Sequence, residues 1–135
     1  MGFLPVLYGD AVLDSELGFT ILSGDQLVAK LAMNLDVCRI IIGVDVDGLY
    51  DSDPKAGKNA KIHRHLTLAE LKKLQTSIAK SMASDVTGGM YGKITELIPP
   101  VESGIPVMIV NAAKPNNVRM ALKGEKVEGT LIEKE

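Results

Sequence analysis

The apolar run Val37 to Ile42, followed at once by GVDVDGLYDSDP at Gly43 to Pro54, constrains this chain more than any other stretch. A hydrophobic strand that opens into glycines and four aspartates reads as a buried strand whose end faces a polar site, which is where open α/β sheets bind their ligands. Cys38 to Val44 is continuously apolar apart from Arg39 and rich in Ile and Val, and it predicts a central strand covered on both faces. The polar excursion from Asp45 to Lys61 is longer than a plain connector requires, which points to a functional loop.

The flanking pattern alternates strands and helices. Residues 3 to 8 read as a strand ended by Gly9 and Asp10, and AVLDSELGFTIL reads as a β-hairpin. Ser23, Gly24 and Asp25 can each cap a helix whose apolar face is Leu27, Val28, Leu31, Ala32 and Leu35. Thr67 and Glu70 form a T-x-x-E capping box ahead of Leu68, Leu71, Leu74 and Ile78, which carry a helical period. Asp85 to Gly89 reads as a loop, and Met90 to Ile98 as a short helix stopped by Pro99 and Pro100. Ile105 to Val110 predicts a strand, Pro115 begins a last helix through Leu122, and Thr130 to Ile132 adds an edge strand. Strands in alternation with helices predict a mainly parallel sheet with helices on both faces, an α/β fold, in a single domain over residues 1–135.

Composition narrows the function classes. A net charge of -2, with basic residues scattered along the chain, offers no footprint for a nucleic-acid backbone. Aromatics at 4%, with no Trp, offer no base-stacking platform. No apolar run reaches the ~18 residues of a membrane span, and no basic start and cleavage site mark a signal peptide. Cys38 has no disulfide partner and reads as a buried, inert thiol, so the expected compartment is the cytoplasm.

The chemistry gathers in two stretches. In the loop after the central strand, Asp45, Asp47 and Asp53 can accept hydrogen bonds from a ribose. Gly48 allows close approach to a planar base, with Tyr50 alongside; the plain alternative is a solvated acidic turn. DVTGGMYGK at Asp85 to Lys93 does not have the spacing of a Walker A loop, and Ile94 stands where that motif needs Ser or Thr. Gly88 and Gly89, followed by Met90, still present backbone N–H groups at a helix start, and Lys93 one turn on can lie beside a phosphate; the alternative is a tight turn with a surface lysine. Asp25 is either a plain N-cap or a carboxylate that fixes phosphate-binding lysines. His63 and His65 lie two apart on one strand face with no third metal ligand of fitting spacing, so no protein metal site is expected.

SGDQLVAKLA, GVDVDGLYDSDPK, DVTGGMYGK and IVNAAKPNNVRMALKGEKVEGTLI, taken in that order, resemble the C-terminal half of the amino acid kinase superfamily. Within it the chain is most similar to the archaeal-type isopentenyl phosphate kinases, over nearly its whole length from PVLYGD onward. The resemblance implies a three-layer α/β/α sandwich whose C-terminal half carries ATP and whose N-terminal half carries the phosphoryl acceptor. It implies that Asp25 orients catalytic lysines and that Lys93 steadies the transferring phosphoryl group. Asp45, Asp47, Gly48, Tyr50 and Asp53 would surround the nucleoside, with Gly88, Gly89 and Met90 nearby. The expected cofactors are ATP and Mg2+ carried on the nucleotide, and the expected acceptor is a small phosphorylated molecule, isopentenyl phosphate first, with uridylate, acetylglutamate or fosfomycin kinases and a non-catalytic nucleotide-binding module as alternatives.

Two departures accompany the resemblance. Ala112 stands where the family usually has Gly after the strand-end Asn, and the family's N-terminal glycine-rich loop with its lysine has no counterpart in these 135 residues. The glycine pair and histidine that grip the acceptor are also missing. The chain is therefore expected to be inactive alone, and to form a homo-oligomer or associate with an N-terminal half.

Overall fold

The computed structural model describes residues 2, 4–52, 60–81 and 88–135. Its centre is a four-stranded sheet. β3 (Ile40–Val44), β7 (Val107–Asn111), β8 (Gly129–Glu133) and β6 (His65–Thr67) lie side by side in that order. β3 and β7 are parallel, as are β6 and β8, while β7 and β8 run antiparallel, so the sheet is mainly parallel. Two small ribbons flank it: β1 (Asp10–Asp14) with β2 (Gly18–Leu22), and β4 (Leu49–Tyr50) with β5 (Ile62–His63).

One face of the sheet holds the core. Strand residues alternate between faces, so Ile40 and Ile42 of β3 and Val107 and Ile109 of β7 point the same way. They join Leu71 of α2 (Leu68–Ser81) and Ile94, Leu97 and Val101 of α3 (Gly88–Glu102) in one buried cluster. α1 (Gly24–Asn34) packs on α3 and adds Ala32 to the same cluster. On the other face α4 (Asn117–Lys123) lies over β7 and β3 with Ala121 buried. The result is the expected α/β/α layering.

Several helix ends follow directly from the sequence. Ser23 caps α1 in a capping box with Gln26, and Thr67 and Glu70 form the one expected ahead of α2. Glu70 accepts from both the backbone N–H and the hydroxyl of Thr67.

Other expectations are corrected. Residues 4–9 form no strand and are exposed; β1 starts at Asp10, because among the described residues no strand pairs with the segment ahead of the hairpin. β3 begins at Ile40 and lies at the border of the described sheet rather than at its centre. β8 is not an edge strand: it is hydrogen-bonded on both sides, to β7 and to β6. On α1 the buried side chains are Ala29 and Ala32, whereas Leu31 and Leu35 are exposed.

α3 does not stop at Pro99; Gly88 and Gly89 are already helical and the helix runs on to Glu102. The two prolines lack the N–H groups that would bond Thr95 and Glu96. Burial of Ile94, Leu97 and Val101, at roughly 1.5–3 kcal/mol each, offsets that loss, and the carbonyls of Pro99 and Pro100 accept from Ser103 and Ile105. α4 starts at Asn117, two residues beyond Pro115, after Asn116 in a left-handed conformation.

Candidate active site

The chain direction brings the candidate residues to one end of the sheet. α1 leads into β3 through Leu35 to Arg39, and α3 leads into β7 through Ser103 to Pro106. Such short connections turn each helix back antiparallel to its strand. The amino ends of α1 and α3 therefore lie at the carboxyl ends of β3 and β7, the end where open α/β sheets bind ligands.

Asp25 sits in the first turn of α1, and Lys93 stands one turn into α3. Lys93 Nζ lies 2.8 Å from Oδ1 and 2.8 Å from Oδ2 of Asp25. Both side chains are largely shielded, 20% and 29% exposed, so this pair is less screened than a surface contact. It joins the two helix starts and fixes the ammonium beside the amino end of α3.

The turn between β3 and β4 carries Asp45, Asp47, Gly48 and then Tyr50. Asp45 is exposed and Tyr50 is half-buried on β4. Asp47 Oδ1 accepts from Asn111 Nδ2 at 2.9 Å and lies 2.7 Å from Lys114 Nζ. Lys114 first and Asn111 second hold the Asp47 carboxyl below its ordinary value, while Asp47 and then Glu128 hold Lys114 above its own. Lys114 also reaches Glu128 at 3.3 Å, and Glu128 in turn meets Arg64 at 3.5 Å.

Gly48 has φ 154, and a Cβ there would come within 2.5 Å of Thr130 Oγ1. The close approach at this glycine is thus to β8. The Thr130 hydroxyl, fully buried, accepts the N–H of Leu49 and donates to the carbonyl of His63, tying the turn to the sheet and to β5.

Other candidates are placed differently. Asp53 lies outside the described residues, as does the loop ahead of Gly88. Gly88, Gly89 and Met90 form the first turn of α3, with Met90 against the core. Cys38 is exposed, since it precedes β3. His63 and His65 do not share a strand: His63 ends β5 and His65 begins β6, where it pairs with Glu133 at 3.1 Å. Among the described residues, no group of three or more His, Cys, Asp and Glu side chains could hold a metal ion, and no helix is long and apolar enough to cross a membrane. A shallow hollow of about 410 Å³ lined by Lys72, Lys73, Thr76 and Ser77 is the outer face of α2, away from these groups.

Sequence reasoning passed over Lys114 and Thr130. Lys114 could have been found by its place, three residues past the strand-end Asn111, in the same kind of strand-end turn as Asp45 and Asp47.

The amino acid kinase family profile matches residues 1–111. The chain belongs to the amino acid kinase family. It is 44% identical over 133 residues to an isopentenyl phosphate kinase of Methanothermobacter thermautotrophicus, covering 97% of this chain and 49% of that protein. An isopentenyl phosphate kinase of Arabidopsis thaliana is 38% identical over 139 residues, covering 92% of this chain and 41% of that one. Among solved structures, an isopentenyl phosphate kinase superposes with a TM-score of 0.76 at 39% identity, over 97% of this chain and 46% of that one. The chain thus spans about half the length of the relatives it matches, and its fold is that of the family.

Proposed function

We propose that this chain is the ATP-binding part of a small-molecule kinase that transfers the γ-phosphoryl group of ATP to a phosphate oxygen, with isopentenyl phosphate as acceptor and isopentenyl diphosphate as product. The observation that carries this reading is the Lys93–Asp25 pair at the amino ends of α3 and α1, beside the carboxyl ends of β3 and β7. A fixed ammonium at a helix start suits the charge that develops on a transferring phosphoryl group. In this reading Lys93 steadies that group and Asp25 orients Lys93. Asp45, Asp47, Gly48, Tyr50 and Asp53 surround the nucleoside, and Gly88, Gly89 and Met90 bring backbone N–H groups near the phosphates.

Magnesium would be carried on the nucleotide and would supply neutralisation of phosphate charge there. Catalysis rests on positioning and charge stabilisation more than on covalent chemistry. The choice of isopentenyl phosphate is supported by the relatives of that name. Residues 1–135 act as one nucleotide-binding domain of a cytoplasmic enzyme, and the acceptor site belongs to the half of the fold that the relatives have and this chain does not span.

Titration calorimetry of this chain with Mg-ATP tests the first part. Absence of binding at millimolar nucleotide would defeat it. A panel of isopentenyl phosphate, uridylate, acetylglutamate and fosfomycin, offered to a protein containing both halves, tests the acceptor. Turnover of another member in preference to isopentenyl phosphate would replace the acceptor and keep the kinase. This chain by itself should phosphorylate none of them.

A further inference from the structure

We propose that Lys114 and Asn111 are positioning residues for Asp47: both engage one oxygen of its carboxylate, Oδ1, and leave Oδ2 as the acceptor for a hydroxyl of the bound nucleoside. The inference rests on the nucleotide reading above and adds two residues that act through Asp47.

Asn111 is fixed before it reaches Asp47. It ends β7 in register with Val44 of β3, and the N–H of Ala112 continues that ladder to the Val44 carbonyl at 2.8 Å. Its own side-chain oxygen accepts the N–H of Ala113 at 2.9 Å. With the oxygen taken by a backbone donor, the amide nitrogen must be the end that faces Asp47, so the orientation of this side chain is determined by its neighbours.

Lys114 completes the clamp from the same loop. Its ammonium lies 2.7 Å from Asp47 Oδ1 and 3.3 Å from Glu128 Oε2. Asn111 and Lys114 converge on the same oxygen, and among the described residues Oδ2 receives no hydrogen bond. Charge decides between this role and direct phosphate binding. An ammonium already shared by two carboxylates presents little net positive charge to a phosphate, whereas a carboxylate held ionised by two donors is a strong acceptor for a hydroxyl. The groups that face Asp47 are Lys114 and Asn111 directly, Glu128 through Lys114, Arg64 beyond it through Glu128, and Asp45 from two residues earlier in the same turn.

Two measurements on this chain test the proposal. The first follows the titration of the Asp47 carboxyl carbon by NMR without nucleotide. Lys114→Met should raise its midpoint and Lys114→Arg should leave it near wild type; no movement in Lys114→Met overturns the clamp. The second is a double-mutant cycle on Mg-ATP affinity. Asp47→Asn and Lys114→Met should each weaken binding on the order of tenfold, and the double variant should be no weaker than Asp47→Asn alone. Additive losses would place Lys114 on the nucleotide itself and overturn its positioning role. If the wild-type chain binds no Mg-ATP, the nucleotide reading and the assignment of Oδ2 fall together, and the carboxyl titration alone still decides whether Lys114 holds Asp47.

Discussion

Lys93 Nζ is equidistant, at 2.8 Å, from the two carboxylate oxygens of Asp25, so a single ion pair bridges the first turns of α1 and α3. Its two-point geometry limits the swing of a flexible lysine and keeps its charge at one place near the helix starts. In a protein containing both halves of the fold, Lys93→Ala should lower kcat by on the order of 10², with a smaller change in KM for ATP. Asp25→Asn keeps the cation and loses only its fixed orientation, so its loss should be nearer tenfold. Steady-state kinetics measure both, and unchanged turnover in Lys93→Ala would remove the lysine from the mechanism.

Thr130 is the buried polar side chain that joins the turn after β3 to the sheet, and its hydroxyl is used twice, by Leu49 and by His63. Thr130→Val preserves the shape and strands the Leu49 N–H and the His63 carbonyl. At about 1–3 kcal/mol for each unsatisfied buried group, the variant should lose roughly 2–4 kcal/mol. Gly48→Ala attacks the same contact from the other side, through a Cβ 2.5 Å from that hydroxyl and a φ of 154, and should cost about 2–3 kcal/mol. Urea denaturation followed by circular dichroism reads both, and near-wild-type midpoints would show that the turn is held by something else.

Which parts of this arrangement were legible in the sequence depends on how local their causes are. The hairpin, a helix cap within Ser23 to Asp25, the capping box at Thr67 and the strand ahead of Gly43 are specified by neighbours within a few residues, and all were readable. The position of β8 between β7 and β6 was not, because strand order is set by pairings between segments far apart in the chain. Pro99 and Pro100 misled for the same reason: a local breaker was outweighed by burial against a distant sheet. The place of Lys114 past the strand end was visible, but its partners were not, because Asp47 and Glu128 are both distant from it in the chain. Asp25 and Lys93 could each be singled out, as a helix-start carboxylate and a lysine one turn past a glycine pair, but their pairing could not, because it is the packing of their separate helices that brings them together.

Acid should destabilise the protein in a defined direction. Among the described residues, four carboxyls are held below their ordinary values: Asp47 by Lys114 and then Asn111, Asp14 by the N–H groups of Leu17 and Glu16, Asp51 chiefly by the N–H of Lys61, and Glu70 chiefly by that of Thr67. Below about pH 4 the unfolded chain takes up protons at these groups before the folded one does, so stability rises with pH in that window. The contribution is complete above the ordinary carboxyl range and is lost as pH falls through the lowered native values. Urea midpoints between about pH 6 and about pH 3 should decline accordingly. Glu70→Gln, which can keep the capping bonds but cannot titrate, should make the decline shallower, and an unchanged slope would show that Glu70 contributes nothing to it.

The hairpin β1–β2 turns an apolar face outward. Its register sets Leu13 opposite Phe19 and Ala11 opposite Ile21, four residues on the same side, while Val12 and Thr20 alternate to the other. Leu13 is 94% and Phe19 72% exposed, and the segment ahead of the hairpin adds Leu4, Val6 and Tyr8, also strongly exposed. Contiguous apolar surface of this kind is rare on monomers and drives association. β3 at the border of the described sheet offers further unpaired backbone groups. The isolated chain should therefore self-associate as its concentration rises from about 10 µM to about 1 mM, a range in which weak apolar contacts become populated. Leu13→Lys with Phe19→Lys should shift it toward monomer in sedimentation velocity while leaving its circular dichroism spectrum unchanged. Neither Leu13 nor Phe19 belongs to the buried core cluster, which does not depend on these two side chains. A wild-type chain that stays monomeric over the whole range would show that the hairpin face is tolerated in water; association that persists in the double variant would move the contact to β3.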